Sequence, residues 1–449
     1  MPPSTFPPRV PKNEFFSSQR AVIKDILAAY LGYQERFGDI FGIRIVKRNY
    51  YVTSDPTYIS HVMVKNHRNY IKDRPTKMIG DILGNGILVS DGDYWLRQRR
   101  LIQPAFHRQQ IANLSQLMVQ ETEKWVEELT AHQGPAKLND WMPKLALQVV
   151  TRTLFGEGIK QEGIDMVNEV LTDLLHLMAV QIRDPFTLLK YKLTGKMNFF
   201  REQRARLDQL IFDMVDARKA KGVGNADLMD MLLSALDEET GEPLTKEEIR
   251  QELIILFTAG HETSANGMTY ALMLLADHPE ILEKATEEVD RVLGKGPIDF
   301  TQLRELRYLK QVIDESLRLY PPAWITGREA LGADSIGELE LTEGETVAVF
   351  IYGLHRNEKY WENPNQFDPA RFHPDRKSEI QPHTYIPFGM GPRLCVGNQF
   401  AVVEMQIALA MILQRFRIQR TNPGESIELI PSITLRPKTE IGMTFELRK

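Results

Sequence analysis

The stretch Phe388-Gly389-Met390-Gly391-Pro392-Arg393-Leu394-Cys395-Val396-Gly397 surrounds the only cysteine in a chain of 449 residues. A lone intracellular cysteine usually serves as a small buried hydrophobe, but these neighbours argue for another role. Glycines at 389, 391 and 397 permit tight turns and close backbone approach. Clustered beside one thiol, they describe a loop pressed against something flat. The segment from Cys395 to about Phe416 reads as a helix. A helix starting at the cysteine would aim its unsatisfied N–H groups and positive dipole end at the sulfur. Both effects favour thiolate over thiol.

Composition bounds what that thiol can do. One cysteine excludes an intramolecular disulfide, an iron–sulfur cluster with the usual cysteine ligation and a multi-cysteine zinc site. A net charge of -5 and a pI of about 6.1 do not suggest a nucleic-acid binder. The 43% hydrophobic content is ample for a large core. Met1 to Phe16 is proline-rich and holds no apolar run of signal-peptide or membrane-span length. A cytoplasmic protein without a membrane anchor is expected.

Outward from the loop, the pattern is mainly α. Ser18 to Arg36 reads as an amphipathic helix, and Ile40–Val46 with Tyr50–Thr53 as a hairpin. Pro56 to about Leu319 is mostly helical, with loops at Ser90–Asp93, Gly222–Asn225 and Asp237–Pro243. Thr245 and Glu248 form a capping box that opens a long apolar helix running to about Ala276, where His278-Pro279 ends it. Strands are expected at Trp324–Ala330 and Glu345–Ile351. An irregular, proline-rich stretch runs from His355 to about Gly391, and further strands lie within Ser426–Leu447. The expectation is a single domain over residues 1–449, a large helical body with a smaller β-rich part drawn from both ends.

The long helix carries Ala259-Gly260-His261-Glu262-Thr263-Ser264. Burying Glu and His is costly, and Gly in a helix interior costs about 1 kcal/mol relative to Ala. The turn therefore reads as a helix opened on purpose: Gly260 leaves room for a ligand, and the Thr263 hydroxyl can bond a carbonyl one turn back. Elsewhere, Glu315 and Arg318 lie on one helix face, Asp368-Pro-Ala-Arg371-Phe372 follows downstream, and Trp95 precedes Arg99 by one turn. Any one of these could be ordinary surface or packing.

Together they resemble the cytochrome P450 family. The cysteine loop matches every fixed position of the signature Phe-x-x-Gly-x-Arg-x-Cys-x-Gly. The long-helix turn is similar to the oxygen-binding pattern, and the remaining segments resemble the Glu-x-x-Arg, Pro-x-Arg-Phe and Trp-x-x-x-Arg motifs, in family order. Asp368 stands where Glu is often found. The resemblance implies the P450 fold, with haem b buried between distal and proximal helices, and Cys395 as the iron ligand. A thiolate pushes electron density toward bound dioxygen and assists O–O cleavage. By the same resemblance Arg393, Trp95, Arg99 and Arg328 reach the haem propionates, while Phe388, Gly391 and Gly397 shape the loop. Ala259 and Gly260 flank the haem, Thr263 steadies the reduced oxygen, and Glu262 helps relay protons. Glu315, Arg318 and Arg371 form a structural triad, and His261 is structural.

The implied reaction is monooxygenation of a lipophilic substrate such as a fatty acid, terpenoid or steroid, with Ile87, Leu88, Ala323 and Ile325 near the haem. Lys47, Arg48 and Tyr51 are candidates for meeting a substrate carboxylate. Residues 396–449 leave no room for a fused reductase, so a separate ferredoxin or flavodoxin is the expected electron donor. Arg97, Arg100 and Arg108 are its candidate docking patch. The rival readings are a peroxygenase or isomerase needing no electron partner, which has little use for Glu262 and Thr263, and a non-catalytic haem-binding protein.

Overall fold

The computed structural model describes residues 6–11, 25–45, 48–156, 158–183, 185–222, 224, 227–294 and 296–448. Lys47, the first turns of the Ser18–Arg36 helix, most of Met1–Phe16 and part of the Gly222–Asn225 loop lie outside them. The chain divides into two compact units, one comprising Met1–Thr76, Asp314–Cys395 and Ile427–Thr439, the other Lys77–Ile313, Val396–Ser426 and Glu440–Lys449.

The first unit is built on a five-stranded sheet. Its order is Ile40–Ile45, Arg48–Thr53, Thr346–Val349, Thr326–Ala330 and Tyr70–Lys72. The first two strands form the expected hairpin, with Ile40 opposite Thr53. The second pairs in parallel with Thr346–Val349, a crossover of nearly three hundred residues that ties the start of the chain to its C-terminal third. One sheet face is covered by the helix Ile26–Phe37, whose Tyr30 packs edge-on against Phe41 and Phe350 at centroid distances of 6.0 and 5.6 Å.

Beyond the sheet the irregular stretch is held by buried charge. Glu315 and Arg318, on the helix Arg307–Leu319, are fully buried. Glu315 Oε2 accepts from Arg318 Nε at 2.7 Å. Its Oε1 accepts from Arg318 Nη2 at 2.8 Å, the Asp368 N–H at 3.0 Å and Arg371 Nε at 3.3 Å. Arg318 also donates to the carbonyls of His355, Pro364 and Gln366 at 2.6, 2.7 and 3.2 Å. The triad is thus the organiser of a segment with little regular structure of its own. His355, to which the sequence assigned no role, belongs to the same lock. Its Nε2 accepts the Ile386 N–H at 2.9 Å, so Nδ1 carries the proton and donates to Arg318 O at 3.1 Å. Burial pushes its pKa down to about 3, with the neighbouring Arg318 charge adding to the effect.

The second unit is helical. Its long helix runs Lys246–Asp277 and starts with the expected capping box: Thr245 Oγ1 accepts the Glu248 N–H at 3.2 Å, and Glu248 Oε2 accepts the Thr245 N–H at 2.8 Å. Pro279 opens the next helix, Pro279–Leu293. Every residue from Ser264 to Leu275 is buried, the pattern of a helix wrapped by neighbours on all sides. Leu138–Phe155 and Asn398–Arg415 pack against it. The last helix ends at Arg415, and Phe416–Arg420, which the sequence had left at the helix end, is a strand paired with Gly442–Leu447.

Removing one member of a buried ion cluster leaves the others uncompensated, a loss of about 3–5 kcal/mol. Glu315→Gln is therefore expected to lower the urea unfolding midpoint strongly, followed by circular dichroism. An unchanged midpoint would show that the cluster adds nothing to stability.

Candidate active site

The cysteine loop belongs to the first unit. It is closed by the Cys395 N–H donating to Phe388 O at 3.0 Å, with inner turns Gly389 N–H to Ile386 O and Leu394 N–H to Gly391 O, each 3.0 Å. Gly391 has φ +69°, and a Cβ there would lie 2.2 Å from the carbonyl oxygen of Met63. No other residue fits. Gly397, at φ -90°, has room for a side chain and serves as the N-cap of the last helix.

That helix begins at Asn398, not at the cysteine. A turn at Val396-Gly397 intervenes, and the Cys395 N–H closes the loop that precedes it. The expectation that Cys395 itself opens the helix is corrected accordingly. The thiol side chain is exposed, in no disulfide, while Met390 and Ile386 behind it are buried. Phe388 and Arg393 are half-buried. On the strand Thr326–Ala330, Arg328 is buried and donates to Thr326 Oγ1 at 3.2 Å and Gly327 O at 2.8 Å. Three residues before it Ile325 is half-buried, and Ala323 is exposed. Trp324 between them is buried and donates to Ser432 O at 2.9 Å.

The second unit carries the other residues. On the long helix the burial pattern breaks for one stretch. Ala259 is exposed, and Gly260 to Thr263 are partly accessible, in a helix otherwise enclosed from Glu252 to Ile255 and from Ser264 onward. The Thr263 hydroxyl donates to Ala259 O at 2.6 Å, the back-bond the sequence suggested. At Gly260 a Cβ would sit 3.2 Å from Val150 Cγ2 of the helix Leu138–Phe155, so the missing side chain lets that helix approach closely. His261 Nε2 donates to Pro143 O of that helix at 3.1 Å, a structural tie. On the helix Gly92–Ile102, Trp95 is buried, and Arg99 one turn later donates to Gln103 Oε1 at 3.0 Å. Ile87 and Leu88 are half-exposed between buried Gly86 and Val89.

Two suggested constellations do not assemble. Arg97 is bound to Glu248 at 2.7 Å and to Pro243 O at 3.1 Å, and Arg100 to Asp237 at 3.2 Å and to Glu239. Their charge is matched by the chain's own carboxylates, so with Arg108 they do not make a uniformly basic docking patch. Arg48 pairs with Glu329 at 3.4 Å, and Tyr51 is buried in the sheet core among Ile40, Val62 and Val347. Neither is arranged to meet a substrate carboxylate.

Two buried acids went unread in the sequence. Glu404, on the last helix, accepts the Ser264 hydroxyl at 2.5 Å through Oε2, while its Oε1 has no hydrogen-bond partner among the described residues. Burial pushes its pKa up to about 8. Glu252, on the long helix, behaves alike: burial, assisted by the Glu248 charge, raises its pKa to about 8. The signal for both was present. Glu404 interrupts an apolar helical run where nothing else is charged, and Glu252 opens the apolar run that follows Arg250.

An exposed thiol on a loop fixed from behind is a soft-donor ligand, and the accessible turn of an enclosed helix supplies an alcohol beside a carboxylic acid. Within the first unit, that thiol with the arginines at 328 and 393 is a donor set of the kind a haem iron and its propionates take.

Comparison with known proteins agrees. A sequence profile described as cytochrome P450 matches residues 7–444. The chain is 33% identical over 409 residues to cyclooctatin synthase of Streptomyces melanosporofaciens, covering 91% of this chain and 87% of that protein. It is 30% identical over 395 residues to cyclooctat-9-en-7-ol 5-monooxygenase of the same organism, covering 87% and 84%. Among solved structures, the heme domain of cytochrome P450DA superposes with a TM-score of 0.84 at 25% identity, over 94% of this chain and 92% of that one.

The Glu404 carboxyl carries a pH signature. Its ordinary value of 4.5 is raised to about 8 in the fold, so between those values the folded chain holds a proton that the unfolded chain has released. Stability therefore falls as pH rises through that window and levels off above it. Glu404→Gln should remove this share, so that wild type loses ground to the variant from about pH 5 to about pH 8. Parallel urea midpoints across the range would disprove it.

Proposed function

The chain belongs to the cytochrome P450 family, and from that premise we propose that it hydroxylates a lipophilic, terpenoid-class substrate with electrons from a separate ferredoxin or flavodoxin. Membership makes it a haem-thiolate monooxygenase whose cofactor is haem b. When bound, the haem activates dioxygen and delivers one oxygen atom to the substrate. The observation that carries this reading is the exposed Cys395 thiol on a loop that only glycine at 391 permits.

In this reading Cys395 would hold the haem iron, and Phe388, Gly391 and Gly397 hold its loop. Arg393, Arg99, Arg328 and Trp95 would bind the propionates, the arginines through charge-assisted hydrogen bonds. The Thr263 hydroxyl donates a hydrogen bond to Ala259 O, so its oxygen would be left to accept a further hydrogen bond. Half-exposed Glu262 passes protons inward. Ala259, Ile87, Leu88, Ala323 and Ile325 present apolar surface, which suits a lipophilic substrate. The relatives named for cyclooctatin and cyclooctat-9-en-7-ol support a terpenoid. An uninterrupted family match from residue 7 to 444 supports one catalytic domain over residues 1–449. A cytoplasmic location is supported by the single cysteine and by the fact that no described helix is long and apolar enough to cross a membrane.

Reduced, haem-loaded protein mixed with carbon monoxide should show the red-shifted Soret band of thiolate ligation, and Cys395→Ser should lose it. A band at the position of histidine-ligated haem in wild type would sink the assignment of Cys395. With a surrogate ferredoxin and reductase, Thr263→Ala should lower product formed per NADPH by at least about tenfold while NADPH consumption continues. Unchanged coupling would remove Thr263 from the proton path. Cyclooctat-9-en-7-ol is the first substrate to screen.

A further inference from the structure

The long helix grips the segment before Trp95 at two points. Arg250, buried in that helix, donates to Leu83 O at 3.4 Å and pairs with Asp208 of the helix Lys196–Lys221 at 2.5 Å. Near it, Glu252 accepts the Ile87 N–H on Oε1 at 2.8 Å. Glycine at 86 is what permits this contact, since a Cβ there would lie 2.7 Å from Glu252 Oε1 and 2.7 Å from Ile255 Cδ1. Glu252 precedes Thr263 by about three helical turns and so lies on nearly the same helix face.

We propose that Glu252 is a positioning residue for substrate binding: it holds the backbone of Ile87 against the helix that carries Thr263, and so sets where the Ile87 and Leu88 side chains stand. The proposal rests on the reading of those two residues as substrate-facing. Their side chains are half-exposed while Gly86, Val89 and Ser90 beside them are buried. Such a segment gains little from its own packing, and its place is set by what its backbone is tied to. The Ile87 N–H is tied to a side chain, not to a neighbouring strand or helix carbonyl. An apolar residue at 252 would leave that donor buried and unpaired.

The chemistry of the acid adds a signature. Oε2 of Glu252 has no hydrogen-bond partner among the described residues. Glu248 faces the carboxyl from the same helix and is itself bound by Arg97 and Gln98. From the helix Gly92–Ile102, Tyr94 also feels its charge. The Ile87 N–H, from the loop, favours the charged form, but burial outweighs it and the group titrates at about 8. Above that pH a desolvated carboxylate oxygen draws in water, and the hold on the loop weakens.

The test uses the holoenzyme and two azoles. Imidazole ligates the haem iron and reaches little else; 1-phenylimidazole also places a ring against the side chains beside the haem. The ratio of their affinities, read from the Soret shift, reports those side chains, and hydrogen exchange of residues 84–90 reports the hold itself. Glu252→Leu should accelerate exchange there and lower the affinity ratio roughly fivefold to tenfold, the loss of one buried hydrogen bond. Glu252→Gln, which still accepts from Ile87, should keep both near wild type at neutral pH. Wild type should lose its ratio above about pH 8 and Glu252→Gln should not. Ile87→Ala and Leu88→Ala should lower the ratio directly. If those two variants lower it and Glu252→Leu does not, the role of Glu252 is overturned while the substrate-facing reading survives. If neither alanine variant moves it, that reading falls, and the proposal with it, even where exchange responds. Should Glu252→Leu fail to bind haem, the pH profiles decide: identical profiles in wild type and Glu252→Gln overturn the proposal.

Discussion

Glu315 accepts hydrogen bonds from Arg318, from Arg371 and from the backbone of Asp368 in a place no water reaches. The stretch from His355 to Gly391 has only short helical turns and no strand, so it cannot be stabilised by repeating backbone hydrogen bonds. It must be pinned at points, and the guanidinium of Arg318 pins it three times through carbonyls at 355, 364 and 366. From that anchor the order passes through His355 to Ile386, and from Ile386 to the turn at Gly389. The cysteine loop stands at the end of this chain of ties. A neutral His355 is required for it, since Nε2 must accept. Its strongly depressed pKa keeps that state across any physiological pH.

The long helix meets a different demand. It must be enclosed, yet remain accessible over one turn. Enclosure comes from the apolar run after Ser264 and from close helix approach at Gly260, where Val150 takes the space a side chain would fill. Accessibility is left to Ala259 and Thr263. The Thr263 back-bond occupies the hydroxyl proton within the helix itself, so the group needs no other partner to be placed. A serine or threonine one turn from its acceptor is a cheap way to fix a hydroxyl in an apolar wall.

Much of this was legible because the relevant signals are local. The capping box at Thr245, the stop at His278-Pro279 and the hairpin around residues 40–53 each depend on a few adjacent residues, and each stands where expected. The family signature around Cys395 is local too. What could not be read were contacts that depend on distant chain. Nothing near Arg97 or Arg100 announces that Glu248, Asp237 and Glu239 will neutralise them. Nothing near Gly260 announces Val150. The final helix was placed too early because the apolar run begins before the backbone does. The Cys395 N–H closes the loop onto Phe388 O, and a turn at Val396-Gly397 separates the cysteine from the first helical residue, Asn398.

Buried glutamates show most directly how one residue type is set to different tasks by its donors. Glu315 meets two guanidiniums and an amide, so its charge is matched on both oxygens. Glu252 and Glu404 each receive a single neutral donor on one oxygen and nothing on the other among the described residues. Desolvation then wins, and both hold a proton near neutrality. The first arrangement yields a rigid anchor that ties three segments together. The second yields neutral acids inside an apolar wall, each spanning from one segment to another. Glu404 joins the last helix to the residue after Thr263, and Glu252 joins the helix of Thr263 to Ile87. Sequence composition cannot separate these cases, because the separation lies in how many donors converge on each oxygen, and that number is a property of the folded chain.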